Sequence, residues 1–432
     1  MMSWGLFIIF FLLLIFRVPI GVALGLAVMA AFWMFGPSPF DFGTPFLISN
    51  TQQLFTALDK FPLMAIPFFV LAANIMTAGG LSRRLTDAAN AIVGGIPGGL
   101  AMTTVVSCMF FAAISGSSPA TVVAIGSIMI PAMVVKGYGR KYSAGLVATA
   151  GSLGILIPPS IPMIVYGVAT EQSVGQLFMA GFVPGILVGS ILLLTVFVVA
   201  KRRGFKSDLD LTWRQKGRAI LVAIPALVLP VIVLGGIYGG FFTPTEAAAV
   251  AVVYAFVVAF VIYRDLTIKD IPGVLTNSAS MSAMIMFIIA NAMVFAFLLT
   301  SERIPFNIAN WIIDQDLAPW MFLLAVNILL LFVGMFMEPS AAILILAPLL
   351  LPAAMDLGVN PIHLGIIMTM NLEVGMITPP MGLNLFVASG ISKLPMGAVI
   401  RGVLPFSIVL ILSLIAVTYI PAISLTLVEI LK

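Results

Sequence analysis

Of 432 residues, 62% are hydrophobic and only 8% charged, with a mean hydropathy of +1.21, whereas ordinary soluble chains carry about 25% charged residues. No stretch is long and polar enough for a soluble nucleotide-binding module, which excludes ATP hydrolysis by this chain. The formal charge of +4 reads as the bias of Lys and Arg toward cytoplasmic loops rather than as a nucleic-acid surface, while one cysteine, Cys108, excludes an internal disulfide and one histidine, His363, excludes a Cys/His metal cluster.

A hydrocarbon core of about 30 Å takes roughly 20 apolar residues per helical crossing. Stretches of that kind run Trp4 to Phe16, Pro19 to Phe35, Phe61 to Ala78, Tyr142 to Val168, Leu177 to Ala200, Ala219 to Tyr238, Thr245 to Tyr263, Ala279 to Thr300, Ile362 to Ala388 and Ala398 to Ile420. The first has no basic residue before it and leads into Arg17 and Pro19 in place of an Ala-x-Ala site, so it is expected to be a retained membrane segment. Thr51 to Lys60, Leu81 to Val93 and Ile304 to Asp314 look amphipathic and are expected to lie along the interface as arms.

Two more apolar regions, Gly98 to Val135 and Pro319 to Met355, are interrupted at their middles by Ser115-Gly116-Ser117-Ser118-Pro119 and by Gly334-Met335-Phe336-Met337-Glu338-Pro339-Ser340. Their halves are barely long enough to cross, so a hairpin entering and leaving on one side is an equal option. Lys201-Arg202-Arg203, Lys206, Arg214, Lys216 and Arg218 fill the one markedly basic loop, which is placed in the cytoplasm. Walking outward puts Arg17, Arg83, Arg84, Lys136, Arg140, Lys141, Arg264, Lys393 and Arg401 on the same side if both regions are re-entrant. The expected fold is an all-α polytopic membrane protein with ten spans and two hairpins.

An internal repeat organises these elements. Pro131 and Pro352, Gly137 and Gly358, Gly154 and Gly375, Pro158-Pro159 and Pro379-Pro380, and Gly181-x-x-Pro184 and Gly402-x-x-Pro405 share one offset, since 352 − 131, 379 − 158 and 405 − 184 each equal 221. The reading is a first repeat over residues 1–200, a cytoplasmic linker over 201–218 and a second repeat over 219–432. Each holds five spans, one hairpin (98–135 and 319–355) and one broken helix (142–168 and 362–388). An odd number of spans inverts the copies, the pattern of secondary transporters whose site lies at the repeat interface.

In each broken helix prolines remove amide donors, so the carbonyl four residues earlier loses its partner: Gly154 before Pro158, and Gly375 before Pro379. An unpaired carbonyl in hydrocarbon is costly unless something coordinates it, and Na⁺ accepts neutral oxygens. The alternative is a pair of proline kinks repaired by neighbouring Ser, Thr or water. At the first hairpin tip Ser115, Ser117 and Ser118 supply hydroxyls and Pro119 suits a helix start, so the tip presents a helix N-terminus that favours a carboxylate. The second tip has similar form, with Glu338 as its cap and Ser340 beside it, its proline one position out of register with Pro119. Small hydroxylated residues also serve plain helix packing.

The sodium candidates are therefore Ser115, Ser117, Gly154, Pro158, Gly375, Thr378 and Pro379. The substrate candidates are Ser115, Ser117, Ser118, Glu338, Ser340 and Asn384. Asn371, Thr378 and Asn384 flank the second break as further oxygen ligands or as interhelical hydrogen-bonding groups. Glu338, Glu373 and Asp356 fall near or within apolar sequence, where an ionisable group is a functional candidate and a proton carrier is an option. Asp356 is expected at the interface, and His363, after Pro361, as a cap or interfacial residue.

Ile66-Pro67-Phe68-Phe69, Ser115-Gly116-Ser117-Ser118, Ile157-Pro158-Pro159-Ser160, Phe242-Thr243-Pro244-Thr245-Glu246-Ala247 and Thr378-Pro379-Pro380 together resemble the large membrane subunit of the tripartite ATP-independent periplasmic (TRAP) transporters, over essentially the whole chain. That resemblance implies an elevator mechanism, a small four-helix membrane subunit and a soluble periplasmic binding protein as partners. It implies an organic acid as substrate, a C4-dicarboxylate or a sialic acid, and residence in the bacterial inner membrane. A one-component sodium- or proton-coupled dicarboxylate carrier is the alternative within transport. An intramembrane enzyme is disfavoured by a single His and no Asp-rich metal site, and a plain channel needs no paired broken helices.

Overall fold

The computed structural model describes residues 2–16, 18–35, 44–205, 212–307, 310 and 317–431. Among them every regular element is helical. Among the described residues eight helices are long and apolar enough to cross a membrane: Phe61–Ala78, Ser118–Val135, Val174–Arg203, Trp213–Tyr238, Pro244–Ile262, Ile271–Ser301, Pro339–Asp356 and Met396–Tyr419. Six of the ten apolar stretches read from sequence lie in these. The two N-terminal stretches form shorter helices, Met2–Ile15 and Ile20–Phe35, packed on each other. The remaining two are broken.

The breaks fall where the prolines are. Arg140–Ser152 ends in a tight turn over Leu153–Ile155, and the chain resumes as a helix only at Ile161–Thr170. Pro361–Gly375 likewise stops and resumes as Leu383–Ser392. Pro158-Pro159 and Pro379-Pro380 are both cis. After each break a capping group or turn restarts the ladder: the Ser160 hydroxyl accepts the Met163 N–H at 3.4 Å, and the Leu385 N–H closes on the Gly382 carbonyl at 2.8 Å.

Both interrupted regions are helical hairpins, Gly99–Ser115 with Ser118–Val135 and Pro319–Gly334 with Pro339–Asp356. These and the broken helices form the centre of the molecule. Tyr142 to Ser152 and Ile362 to Gly375 are buried at every position, which follows from their composition. Arg140–Ser152 is rich in Gly, Ala, Ser and Thr, so other backbones approach closely. A Cβ on Gly145 would sit 2.2 Å from the Gly402 carbonyl oxygen of helix Met396–Tyr419.

Around this centre lie paired outer helices. Ala65–Ala78 packs on Pro244–Val257, Ile20–Phe35 on Ile271–Ser301, and the arm Leu81–Val93 on Trp213–Tyr238. The motif around Thr243 is a capping box: the Thr243 hydroxyl takes the Glu246 N–H while the Glu246 carboxylate takes the Thr243 N–H at 2.8 Å. Thr245 then ties this helix start to the Phe61 carbonyl at 3.1 Å.

The basic segments gather at one end. Arg84 pairs with Asp265 beside Arg264, Arg203 lies over the Tyr142 ring, and Gly402, next to Arg401, abuts the Lys141 carbonyl. The arms Thr44–Leu58 and Leu81–Val93 are helical. Arg17, Lys206 and much of the arm Ile304 to Asp314 lie outside the described residues.

Candidate functional site

At the first hairpin tip the chain turns at Gly116, whose φ of +61° is the left-handed conformation glycine allows. The tip seats on the break that follows it. The Ile161 N–H donates to the Gly116 carbonyl at 3.2 Å, and a Cβ on Gly116 would meet the Pro159 carbonyl oxygen at 2.8 Å. Three oxygens converge beneath it. Ser115 Oγ and Thr121 Oγ1 are 2.9 Å apart, Ser115 Oγ lies 3.3 Å from the Ser117 carbonyl oxygen, and Thr121 Oγ1 donates to the same oxygen at 2.9 Å.

Gly154 forms the wall of this cluster. A Cβ there would lie 2.6 Å from both the Ser117 carbonyl oxygen and Thr121 Oγ1, so only glycine leaves the cradle open. Thr121 was not singled out by sequence, although it stands one helical turn after Ser117 and on its face. At the break itself the Leu156 and Ile157 amides both turn onto the Leu153 carbonyl at 3.0 Å, and Ser160 Oγ donates to the Ile155 carbonyl at 2.5 Å. Pro158, with no N–H, adds nothing to this repair.

Ser117 occupies the N-cap position of Ser118–Val135 but its side chain makes no capping bond. The helix therefore starts one residue before Pro119, with its first turn not closed by that hydroxyl. Ser118 is fully buried and accepts from Asn384 Nδ2 at 2.6 Å. Asn384, in the resumed half of the second broken helix, also donates to the Ala148 carbonyl at 3.2 Å, while its buried Oδ1 has no partner among the described residues. One amide thus ties the first hairpin, the first broken helix and the second broken helix together.

The second tip is seated in the same manner, the Met381 N–H donating to the Met335 carbonyl at 3.2 Å. Gly334 and Gly375 meet backbone to backbone, a Cβ on Gly375 falling 2.6 Å from Gly334 Cα. Two sequence readings need correction here. The Gly375 carbonyl is not released by Pro379, because the Thr378 N–H takes it at 3.0 Å, a tighter turn that needs no amide from residue 379. The Thr378 hydroxyl donates to the Val374 carbonyl at 2.7 Å. His363 is neither a cap nor interfacial. Asn360 caps the helix, and the buried imidazole bridges Ser424 Oγ at 2.7 Å and the Thr418 carbonyl at 3.2 Å.

Glu338 caps its helix as read from sequence, its carboxylate accepting the Ala341 N–H at 3.1 Å and the Ser340 hydroxyl at 2.9 Å. Asp356 is exposed at a helix end. Glu373 is 1% exposed, and Ser152 Oγ bonds its Oε1 at 2.9 Å across 221 residues. The same hydroxyl also reaches the Thr149 carbonyl at 2.7 Å, and Glu373 Oε2 has no partner among the described residues. Asn371 does not line the breaks: it joins Asn327 at 2.7 Å, and Asn327 joins Thr418 at 3.2 Å, in a buried polar chain toward His363.

Comparison with known proteins places this arrangement. Residues 7–423 match the family described as "Tripartite ATP-independent periplasmic transporter, DctM component". The chain is 56% identical over 375 residues to the C4-dicarboxylate TRAP transporter large permease protein DctM of Pseudomonas aeruginosa, covering 87% of this chain and 88% of that one. It is 45% identical over 419 residues to the isethionate TRAP transporter permease protein DctMQ of Oleidesulfovibrio alaskensis, covering 97% of this chain and 65% of that longer one. The fold resembles the Alcanivorax borkumensis YdaH transporter, with a TM-score of 0.62 at 16% identity over 85% of this chain and 88% of that one. Matched by one family over nearly its whole length, the chain is a multi-pass transporter permease, not an enzyme, and belongs to the DctM components of the tripartite ATP-independent periplasmic transporters.

Proposed function

We propose that this chain is the translocating subunit of a sodium-coupled importer of an organic anion, a C4-dicarboxylate ahead of a sialic acid, in the bacterial inner membrane. The name of its 56% identical relative favours the C4-dicarboxylate. Its partners are a periplasmic binding protein that delivers the anion and a small membrane subunit. One relative is named DctMQ, and this chain spans 65% of its length.

The observation that carries the reading is the pairing of hairpins with breaks. Each tip seats on the break that follows it, and each descending helix packs on the resumed helix of the other: Ser118–Val135 on Leu383–Ser392, and Pro339–Asp356 on Ile161–Thr170. These contacts correspond to each other under offsets of 219 to 222, and Ser152 and Glu373, themselves 221 apart, touch. Residues related by a two-fold axis meet only close to that axis. The inverted repeats over 1–200 and 219–432 are therefore part of the proposal, and hairpins moving with their breaks against the outer helices as an elevator follow from it.

Sodium fits the neutral cradle of Ser115 Oγ, Thr121 Oγ1 and the Ser117 carbonyl, which Gly154 keeps open. In the second copy the Gly375 carbonyl, already holding one N–H, offers its remaining lone pair beside Thr378 and Pro379. The anion is assigned to the first tip, at Ser117, Ser118 and Asn384, where first-turn amides and the helix dipole favour negative charge. The test is uptake into proteoliposomes holding both membrane subunits, supplied with the binding protein, under imposed gradients. Uptake is expected to require sodium and to rise with more than first-order dependence on it. Full activity on a proton gradient in sodium-free buffer would refute the coupling, and full activity of this chain alone would point to a one-component carrier.

A further inference from the structure

Away from the breaks, a groove of about 380 Å³ opens between the arm Leu81–Val93 and the start of helix Trp213–Tyr238. It is lined by Arg84, Asp87 and Asn90 on the arm, and by Gln215, Arg218, Ala219 and Val222 on the helix. The helix residues follow at spacings of three, one and three, a single stripe along one face. That stripe is polar at the helix start and apolar one turn farther in.

The polar end is rich in donors. Asn90 Oδ1 is engaged by the Thr103 hydroxyl at 3.2 Å, and Gln215 Oε1 by the Thr212 N–H at 2.9 Å, so both amides keep their NH₂ groups for a ligand. Arg218 is exposed and forms no ion pair among the described residues. Arg84 is held in place by Asp265, by the Gly80 carbonyl at 3.1 Å and by the Tyr263 ring 4.0 Å below. Lys216 lies over the Trp213 ring and beside Gly95, and Arg83 and Arg214 adjoin lining residues in the sequence. Against these stands one acid among the lining residues, the exposed carboxylate of Asp87.

We propose that this groove binds the headgroup of an anionic phospholipid, its phosphate on Arg218, Asn90 and Gln215. Guanidinium and amide donors suit a phosphodiester, and Asp87 accepts a hydroxyl of a glycerol headgroup, which selects phosphatidylglycerol over choline lipids. A lipid, rather than free phosphate, follows from what continues beyond the polar end. Val222, one turn beyond Arg218, is exposed on the same stripe, as a surface for an acyl chain. Trp213, 88% exposed at the helix start, is placed as an interfacial aromatic. Bound there, the lipid clamps the arm to the outer helix.

The experiment uses the full chain purified in mild detergent, stripped of lipid, then offered phosphatidylglycerol, phosphatidylcholine or inorganic phosphate. Native mass spectrometry reads the bound lipid and thermal unfolding reads its effect. One phosphatidylglycerol is expected to be retained and to raise the unfolding temperature by several degrees. Arg218→Gln, at an exposed unpaired residue, should lower retention at least fivefold with the fold intact, as should Asn90→Leu. Arg401→Gln, at an exposed cation remote from the groove, should leave it unchanged. Equal retention by Arg218→Gln and the unaltered chain, or equal binding of phosphatidylcholine, would overturn the proposal. Full displacement by millimolar phosphate would overturn the lipid assignment and leave a free-anion site.

Discussion

A methyl group at residue 154 perturbs the proposed sodium cradle and little else. In Gly154→Ala the added carbon would lie 2.6 Å from the Ser117 carbonyl oxygen and from Thr121 Oγ1, close to an ångström inside an optimal contact of about 3.5 Å. Either those oxygens retreat or the turn at the break moves away from them. Overpacking of this kind costs about 1–3 kcal/mol. Borne by the oxygens proposed to hold sodium, that strain should raise the half-saturating sodium concentration by roughly 5- to 150-fold. Gly126→Ala is the matched control, because its Cβ would press on Val147 Cγ1 at 2.8 Å and Ile391 Cδ1 at 3.3 Å, the movable ends of apolar side chains. It should lower thermal stability without shifting the sodium dependence. Sodium titration of uptake in proteoliposomes, normalised to folded protein, separates the two. An unchanged half-saturation in Gly154→Ala, or an equal shift in Gly126→Ala, would refute the cradle.

Asn384→Asp replaces the donor shared by Ser118 and Ala148 with a charged acceptor facing a carbonyl 3.2 Å away. An unpaired buried group costs about 1–3 kcal/mol, so uptake should fall at least tenfold, most strongly in apparent substrate affinity; wild-type affinity would remove Asn384 from the site. Glu373→Gln keeps the buried shape and supplies an N–H beside a Ser152 hydroxyl shared between two acceptors, so thermal stability should hold, whereas Glu373→Ala should lose about 2 kcal/mol or more. Equal unfolding temperatures for the two variants would show that this contact stabilises nothing. Arg214→Cys should react with a membrane-impermeant thiol reagent only from inside, and Phe241→Cys, in the 80% exposed position of the opposite segment, only from outside, with buried Cys108 silent. The reverse pattern would invert the topology.

Most of the fold is legible in the sequence because membrane helices announce themselves by length and hydropathy, and breaks by proline. The hairpin tips and both breaks fall at the residues the pattern named. The chain's hydrogen-bonding repairs were not legible. Whether a carbonyl stays free after a proline depends on the local turn, and at Gly375 the turn tightens by one residue so that the Thr378 N–H closes the gap. Thr121 was missed because a threonine in an apolar helix ordinarily bonds its own backbone. It does so here too, but onto Ser117, whose carbonyl faces Gly154. His363 was misplaced because proximity to a helix start says nothing about what packs over it, and the terminal segment around Thr418 and Ser424 does.

The two hairpin tips look alike in sequence, yet they differ in charge. At the first, Ser117 leaves the N-terminal turn without a side-chain cap, and the neighbouring groups are hydroxyls and the Asn384 amide. At the second, the Glu338 carboxylate already sits on the Ala341 amide and takes the Ser340 hydroxyl. A helix N-terminus whose first-turn amide is already taken by its own side-chain carboxyl group has little left to offer a second one. Glu338 and Ser340 are therefore poor ligands for a substrate carboxylate and suitable neighbours for a cation. On the proposed reading, a site between the related halves has one end that would take the anion, at Ser117, Ser118 and Asn384, and one end that would favour a cation. A carboxylate entering such a site would be oriented by the difference between the halves.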